Sequence, residues 1–137
     1  MRIGVPKEIK PQENRIGLTP DSVKTLVSEG HEVLVENNGG FEAGFDNDQY
    51  KNAGAKIIEK ATDIFNDAEI IVKVKEPQKV EVEMIKENQI VYTYLHLAAA
   101  KELTEGLVKS KSINIAYETI TDDNGRLPLL APMSAVA

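Results

Sequence analysis

The apolar positions of this chain fall in short runs separated by segments with helical spacing. Compact runs of Ile, Val and Tyr predict strands at residues 69–74, 89–95 and 113–117, and such runs are typical of central strands covered on both faces. Weaker strands are predicted at 2–5, 31–36 and 56–58. Helices are predicted between Thr19 and Gly30 and at 46–53, 61–65, 80–87 and 100–109. Because strands separated by helices form right-handed βαβ units, this alternation predicts an α/β fold with a mainly parallel sheet flanked by helices.

Composition fits one globular domain and narrows the class of function. The chain has 137 residues, of which 42% are hydrophobic and 28% charged. Its net charge of -6 argues against a general nucleic-acid binder, which needs a basic face. It has no cysteine, which excludes disulfides and thiolate metal sites, and its two histidines cannot form a metal cluster alone. No apolar run approaches the roughly 20 residues that span a bilayer, so we expect no membrane partner and a cytoplasmic location.

Three cationic side chains stand at or beyond the predicted ends of strands. Lys75 follows the buried run before Glu76-Pro77, His96 lies within the apolar stretch 91–100, and Arg15 occupies the loop after the first strand. The carboxyl ends of parallel strands meet at one edge of a sheet, where ligands bind. An Arg can hold a carboxylate with two hydrogen bonds, a Lys supplies a point charge, and a His can transfer protons near pH 7. The pattern therefore predicts a site for a small anion.

Each of these residues also has a purely structural interpretation. Lys75 could be a solvated loop residue, His96 a core histidine bonded to a carbonyl, and Arg15 one half of a surface ion pair. Lys73, two positions before Lys75 along the strand, is expected to face the same side, and the pattern does not choose between the two lysines.

Several motifs of nucleotide and nucleophile chemistry are absent from the sequence. There is no Gly-x-Gly-x-x-Gly segment, and Gly39 to Gly44 lacks the Lys and Ser/Thr that a phosphate-binding loop requires. The sequence also has no paired-carboxylate motif and no Ser in a nucleophile elbow. We therefore expect no cofactor-binding residues and no metal site within this chain.

The chain resembles the alanine dehydrogenases, a family related to the nucleotide-binding subunit of proton-translocating transhydrogenase. The resemblance covers essentially all of the sequence and rests on several ordered motifs. These motifs are Arg2-Ile3-Gly4-Val5-Pro6-Lys7-Glu8, Arg15-Ile16-Gly17-Leu18-Thr19-Pro20, Val72-Lys73-Val74-Lys75-Glu76-Pro77, Tyr94-Leu95-His96-Leu97-Ala98, Ala116-Tyr117-Glu118-Thr119 and Leu127-Pro128-Leu129-Leu130-Ala131-Pro132-Met133-Ser134.

The resemblance implies a Rossmann-like or flavodoxin-like substrate domain without the dinucleotide fingerprint. It implies reversible conversion of L-alanine to pyruvate and ammonium with hydride transfer to NAD, in complete enzymes that are hexamers. Arg15 and Lys75 would bind pyruvate, His96 would act as the acid/base, and Tyr94 and Met133 would line the pocket. The lysine and histidine favour a dehydrogenase over a transhydrogenase domain.

The segment from Leu127 to Ala137 carries no charge, and within it Pro132-Met133-Ser134 resembles the opening turn of a helix that has been cut off. We expect residues 1–137 to be an N-terminal substrate-binding domain, truncated before an NAD-binding domain and inactive alone. Two other functions stay open. The chain could be the N-terminal domain of a transhydrogenase alpha-type subunit, or a stand-alone module that binds small carboxylates.

Overall fold

A computed structural model describes residues 1–136, with the backbone alone for 134–136. Six strands are described: β1 (Arg2–Val5), β2 (Glu32–Glu36), β3 (Lys56–Ile58), β4 (Ile70–Val72), β5 (Ile90–Thr93) and β6 (Ile113–Ala116). Six α-helices accompany them: α1 (Pro20–Ser28), α2 (Asn47–Asn52), α3 (Ala61–Asp67), α4 (Lys79–Met84), α5 (Lys101–Ser110) and α6 (Leu130–Val136). Short 3₁₀ turns lie at Phe41–Ala43, Leu97–Ala99 and Tyr117–Thr119.

The strands form one sheet in the order β3-β2-β1-β4-β5-β6, and every neighbouring pair is parallel. The predicted α/β fold class is confirmed, and the order is that of a Rossmann sheet rather than a flavodoxin sheet. The chain winds outward from β1 in one direction and from β4 in the other. This places the topological switch point between β1 and β4, where such sheets leave a crevice at their carboxyl ends.

The first helix begins and ends as its sequence predicts. The Thr19 hydroxyl accepts a hydrogen bond from the Ser22 N–H at 3.2 Å, and Pro20 occupies the first turn. Gly30 follows with a φ of +93°, in the left-handed region that favours glycine.

Both faces of the sheet are covered by apolar clusters. Along β2, Val33 and Val35 belong to one cluster and Leu34 to the other, because successive residues of a strand point to opposite faces. Helices α1 and α2 contribute to the first cluster, and α3 and α5 to the second. The central strands are therefore buried on both sides, as parallel strands usually are.

Strand β6 is not the central strand that its apolar run predicts. It lies at the edge of the sheet, and Ile113 and Ile115 are 50% and 38% exposed. An apolar run indicates that a segment is a strand, but it carries no information about how many neighbours the strand has.

Strands β4 and β5 are also shorter than predicted, because their last N–H groups bond to side chains. Beyond β4, the N–H groups of Val74 and Lys75 donate to the carboxylate of Glu8. Beyond β5, the N–H groups of Leu95 and His96 donate to the carboxylate of Glu118. The sheet ladder thus gives way to two buried glutamates.

Within residues 1–136, no helix combines the length and the apolar character needed to cross a membrane.

Candidate functional site

The three predicted cations lie beyond the carboxyl ends of three adjacent strands. Arg15 is in the loop after β1, Lys75 follows β4 and His96 follows β5. Strands β1 and β4 flank the switch point, so Arg15 and Lys75 stand on its two sides. This is the edge of a doubly wound sheet at which ligands are expected.

Lys75 and His96 both contact the ring of Tyr94. The Nζ atom of Lys75 lies 4.7 Å from the centroid of the Tyr94 ring, a cation–π distance. The His96 ring lies on the same tyrosine, with centroids 5.8 Å apart and planes 8° from parallel. Lys75 is half-buried and His96 exposed, so an ammonium group and an imidazole flank one aromatic ring at an accessible edge of the domain.

Arg15 is held by the carboxylate of Glu13. Its Nε and Nη2 atoms donate to the two oxygens of Glu13 at 2.9 and 2.7 Å, and the Glu13 side chain is only 7% exposed. The hydrogen bonds to Arg15, and to a smaller extent the charge of Lys75, hold the pKa of Glu13 below its usual range. Arg15 therefore forms an ion pair, as its structural interpretation predicted. That pair uses the side of the guanidinium, and the N–H groups of its Nη1 end still point away from Glu13.

Met133 lies on α6, which packs against the turn Tyr117–Thr119. The ring of Tyr117 lies 6.5 Å from the ring of Tyr94, so α6 stands beside the aromatic residues of the site. Met133 itself is half-buried. The direct contacts of the site run through Lys75, Tyr94 and His96.

Lys73 and Lys75, which the sequence could not separate, have different surroundings. The Lys73 Nζ atom lies 3.1 Å from carboxylate oxygens of both Glu8 and Glu81, and the residue is 2% exposed. A lysine enclosed by two carboxylates is unavailable to a ligand at the surface. The geometry therefore favours Lys75 as the ligand-binding lysine.

Three glutamates beside the site were missed by sequence reasoning. Glu8 bonds the backbone before Lys75, Glu118 bonds the backbone at His96, and Glu13 bonds the Arg15 side chain. Glu8 and Glu118 belong to the family-like motifs, but nothing in the residue pattern marked them as buried. A carboxylate that accepts backbone N–H bonds leaves no periodic signal.

A groove of about 600 Å³ lies away from these residues, between α4 and α5. Val82, Ala99 and Leu103 are among the residues that line it, and none of the predicted site residues does. The groove thus lies apart from the side chains that can bind an anion or transfer a proton. We therefore place the candidate site at those side chains.

Fold and site together define a doubly wound α/β domain with cationic side chains at its switch point. The profile of the family described as "Alanine dehydrogenase/PNT, N-terminal domain" matches residues 4–137, and the chain belongs to that family. The resemblance inferred from the motifs is confirmed.

Known relatives agree with this assignment. An alanine dehydrogenase of Staphylococcus epidermidis is 51% identical over 137 residues, and one of Halomonas elongata is 50% identical; each match covers 100% of this chain and 37% of the relative. The chain thus spans little more than a third of the length of these relatives.

Of two solved structures compared with this chain, the alanine dehydrogenase is more similar than the transhydrogenase. An L-alanine dehydrogenase superposes with a TM-score of 0.97 at 51% identity, over 100% of this chain and 38% of that one. A transhydrogenase from Sinorhizobium meliloti superposes with a TM-score of 0.84 at 25% identity, over 90% of this chain and 35% of that one.

Proposed function

We propose that this chain is the N-terminal substrate-binding domain of an NAD-dependent L-alanine dehydrogenase, which interconverts L-alanine with pyruvate and ammonium. The observation that carries the proposal is that Lys75 and His96 both contact the ring of Tyr94, beyond the same edge of the sheet as Arg15. The family and the 51% identity to an alanine dehydrogenase support it.

These groups suit a small 2-oxo acid. The free end of the Arg15 guanidinium would hold the carboxylate with two parallel hydrogen bonds. Lys75 would place a positive charge at the carbonyl oxygen, where negative charge develops when ammonia adds to the carbonyl carbon. His96 would carry one proton from the added nitrogen to that oxygen and deliver a second, so that the C–O bond breaks, water leaves and the iminium forms. Tyr94 and Met133 would border the pocket.

The residues of this chain do not fit NAD. The first βα connection of a Rossmann fold binds a pyrophosphate through a glycine-rich turn. Here that connection carries Arg15 and a single glycine, Gly17, at which a Cβ atom would lie 2.6 Å from the Val72 carbonyl oxygen. This glycine allows the loop to pack on β4. We therefore propose that NAD binds a separate domain of the enzyme and that residues 1–137 are inactive alone. Membership of the family leads us to propose further that the complete enzyme is a cytoplasmic homo-hexamer.

A transhydrogenase-type subunit is the second candidate, favoured only by the fold it shares with the Sinorhizobium meliloti protein. A stand-alone module for small carboxylates is the third. Neither explains the identity to alanine dehydrogenases as directly.

A chimaera tests the proposal. This chain would replace the matching first segment of the Staphylococcus epidermidis alanine dehydrogenase, to which it is 51% identical. We expect NADH oxidation that depends on both pyruvate and ammonium. A well-folded chimaera that binds NADH but oxidises none with pyruvate and ammonium would overturn the proposal.

A further inference from the structure

Glu118 is a buried carboxylate whose hydrogen bonds go to the backbone around His96. It is 7% exposed. Its two oxygens each accept a bond from the Leu95 N–H at 3.1 Å, and one accepts the His96 N–H at 2.6 Å. Glu118 takes part in none of the ion pairs among the described residues. Its carboxylate is therefore directed at the backbone from which the imidazole projects.

His96 has a backbone conformation that residues other than glycine seldom adopt. Its φ is +48° and its ψ +47°, in the left-handed region. Gln12, Asn38, Asn88 and Lys111 also have a positive φ, so this conformation does not by itself mark a function. It does need local contacts to stabilise it in a residue that carries a Cβ atom. The short bond from its N–H to Glu118 is a direct enforcing contact.

The left-handed turn also sets the direction of the imidazole. Tyr94 directly follows β5, and His96 comes two residues later. In the observed turn the two rings are 8° from parallel and 5.8 Å apart. The turn is tied to β6 by Glu118, which lies in the 3₁₀ turn that follows that strand.

We propose that Glu118 is a positioning residue: it fixes His96 in the left-handed conformation and so directs the imidazole onto the ring of Tyr94, which Lys75 also contacts. It touches neither substrate nor cofactor. The consequence for the reaction rests on the proposed function, whereas the consequence for His96 does not.

Spectra of the 137-residue protein test the positioning directly. In Glu118→Gln, the side-chain NH₂ group would face N–H donors and one acceptor oxygen would be lost. We expect the amide proton of His96 to move upfield, as its charge-assisted bond weakens, and the ring-current shift from Tyr94 on the His96 ring protons to decrease. Glu102→Gln is the matched control, since it removes the same charge from an exposed position on α5. Both signals should stay unchanged in the control. Wild-type His96 signals in a folded Glu118→Gln protein would overturn the proposal.

A stability cycle keeps the proposal testable if Glu118→Gln folds poorly at one temperature. Glycine adopts the left-handed conformation without strain. If Glu118 restrains that conformation, Glu118→Gln should lower the folding equilibrium constant severalfold less in a His96→Gly background than in the wild type. An equal reduction in both backgrounds would refute the coupling.

Kinetics in the chimaera extend the test to the reaction. We expect Glu118→Gln to lower kcat roughly 10- to 100-fold while the KM for pyruvate changes little, because misplaced groups lose rate more than binding. An unsubstituted chimaera without activity would count against the proposed function alone, since the spectra report on Glu118 independently. Unchanged kcat in Glu118→Gln, with the unsubstituted chimaera active, would overturn the role of Glu118 in the reaction.

Discussion

The three cations of the site are held in different ways, and this difference decides what a substitution would remove. Glu13 accepts hydrogen bonds from both the side chain and the backbone N–H of Arg15, whereas the carboxylates beside Lys75 and His96 bond only their backbone N–H groups. Truncating the Lys75 or His96 side chain therefore leaves the chain path intact. Changing Arg15 instead removes the guanidinium from the carboxylate of Glu13, which is 7% exposed and then keeps only the backbone N–H of residue 15.

His96→Ala in the chimaera should lower kcat by about 100- to 10,000-fold, the usual contribution of a positioned acid/base. NADH binding should stay nearly intact, because the imidazole is proposed to serve the substrate oxygen. Stopped-flow rates and NADH fluorescence titration would measure the two effects. Near-normal turnover would assign a structural role to the histidine and move the acid/base function to Lys75 or to another domain.

Arg15→Lys in the chimaera should mainly raise the KM for pyruvate, because an ammonium cannot give a carboxylate the two parallel bonds of a guanidinium. The positive charge is kept, so a pure charge effect would leave affinity unchanged. The control is Lys24→Arg, which makes the reverse exchange at an exposed position on α1 and should leave the KM unchanged. An unchanged KM in Arg15→Lys would contradict bidentate binding at this position.

The cations could be predicted from the sequence, and their partners could not. Lys75 and His96 were found because each follows an apolar run at the end of a strand. Glu118 lies in a similar place after β6, but its partners are backbone N–H groups, and those are identical for every sequence. The choice between Lys73 and Lys75 needed the position of Glu81, on a helix six residues further along.

At the scale of elements, a buried charge cluster joins three parts of the fold. Lys73, after β4, bridges Glu8 from the loop after β1 and Glu81 from the first turn of α4. Glu81 also accepts the N–H of Gln78 at 2.9 Å and so caps α4, and burial raises the pKa of its carboxyl. The same Glu8 carboxylate accepts the backbone N–H of Lys75, so the cluster also fixes the backbone of the site.

Lys73→Met should destabilise the domain strongly, because it leaves two buried carboxylates without their cation. Breaking a buried ion pair from one side costs about 3–5 kcal/mol. Lys56→Met is the matched control, because Lys56 and Glu32 form an ion pair at the surface, where loss of one partner has little effect on stability. Urea unfolding followed by circular dichroism would compare the two variants. Equal small losses would mean that the cluster is not a stabilising connection.

The sequence predicted most elements to within a few residues because caps and breakers are local signals. Thr19, Pro20 and Gly30 bounded α1, and Asp46 and Gly54 enclosed α2. The sequence pattern could not predict where each strand lies in the sheet. Ile113 and Ile115 read as a buried run, yet β6 has a single neighbour, and Val108 on α5 is also 74% exposed.

Two tyrosines make the stability of the whole molecule sensitive to alkali. Tyr50 donates to the Leu18 carbonyl at 2.8 Å and Tyr117 to the Val74 carbonyl at 2.6 Å. Burial raises the pKa of each phenol to about 12. The ordinary pKa of a tyrosine phenol is about 10. Above that pH the two phenols therefore keep their protons in the folded state and lose them in the unfolded state. Stability should be fully present below pH 10 and fall as the pH rises towards 12.

Tyr50→Phe tests this pH dependence, because Tyr50 is only 1% exposed. A pKa raised from 10 to about 12 corresponds to roughly 3 kcal/mol. Between pH 10 and 12 the free energy of unfolding should fall less steeply in the variant than in the wild type, by up to about that amount. The loss of the hydrogen bond itself is seen at neutral pH and can be subtracted. Parallel curves for the two proteins would contradict a raised Tyr50 pKa.

The 137-residue protein by itself should bind pyruvate without reducing it. Hydride transfer requires a nicotinamide held against the substrate carbon, and such positioning is a large part of the lowering of the barrier. The proposed pyruvate site consists of Arg15, Lys75 and His96, whereas the chain has no glycine-rich turn for NAD. Pyruvate should therefore shift the amide signals of Lys75 and His96, while NADH absorbance stays constant in the presence of pyruvate and ammonium. Arg15→Lys should weaken the pyruvate shifts and Lys24→Arg should not. Turnover that persists after every trace of a complete dehydrogenase is removed would show that a nicotinamide site exists within these residues.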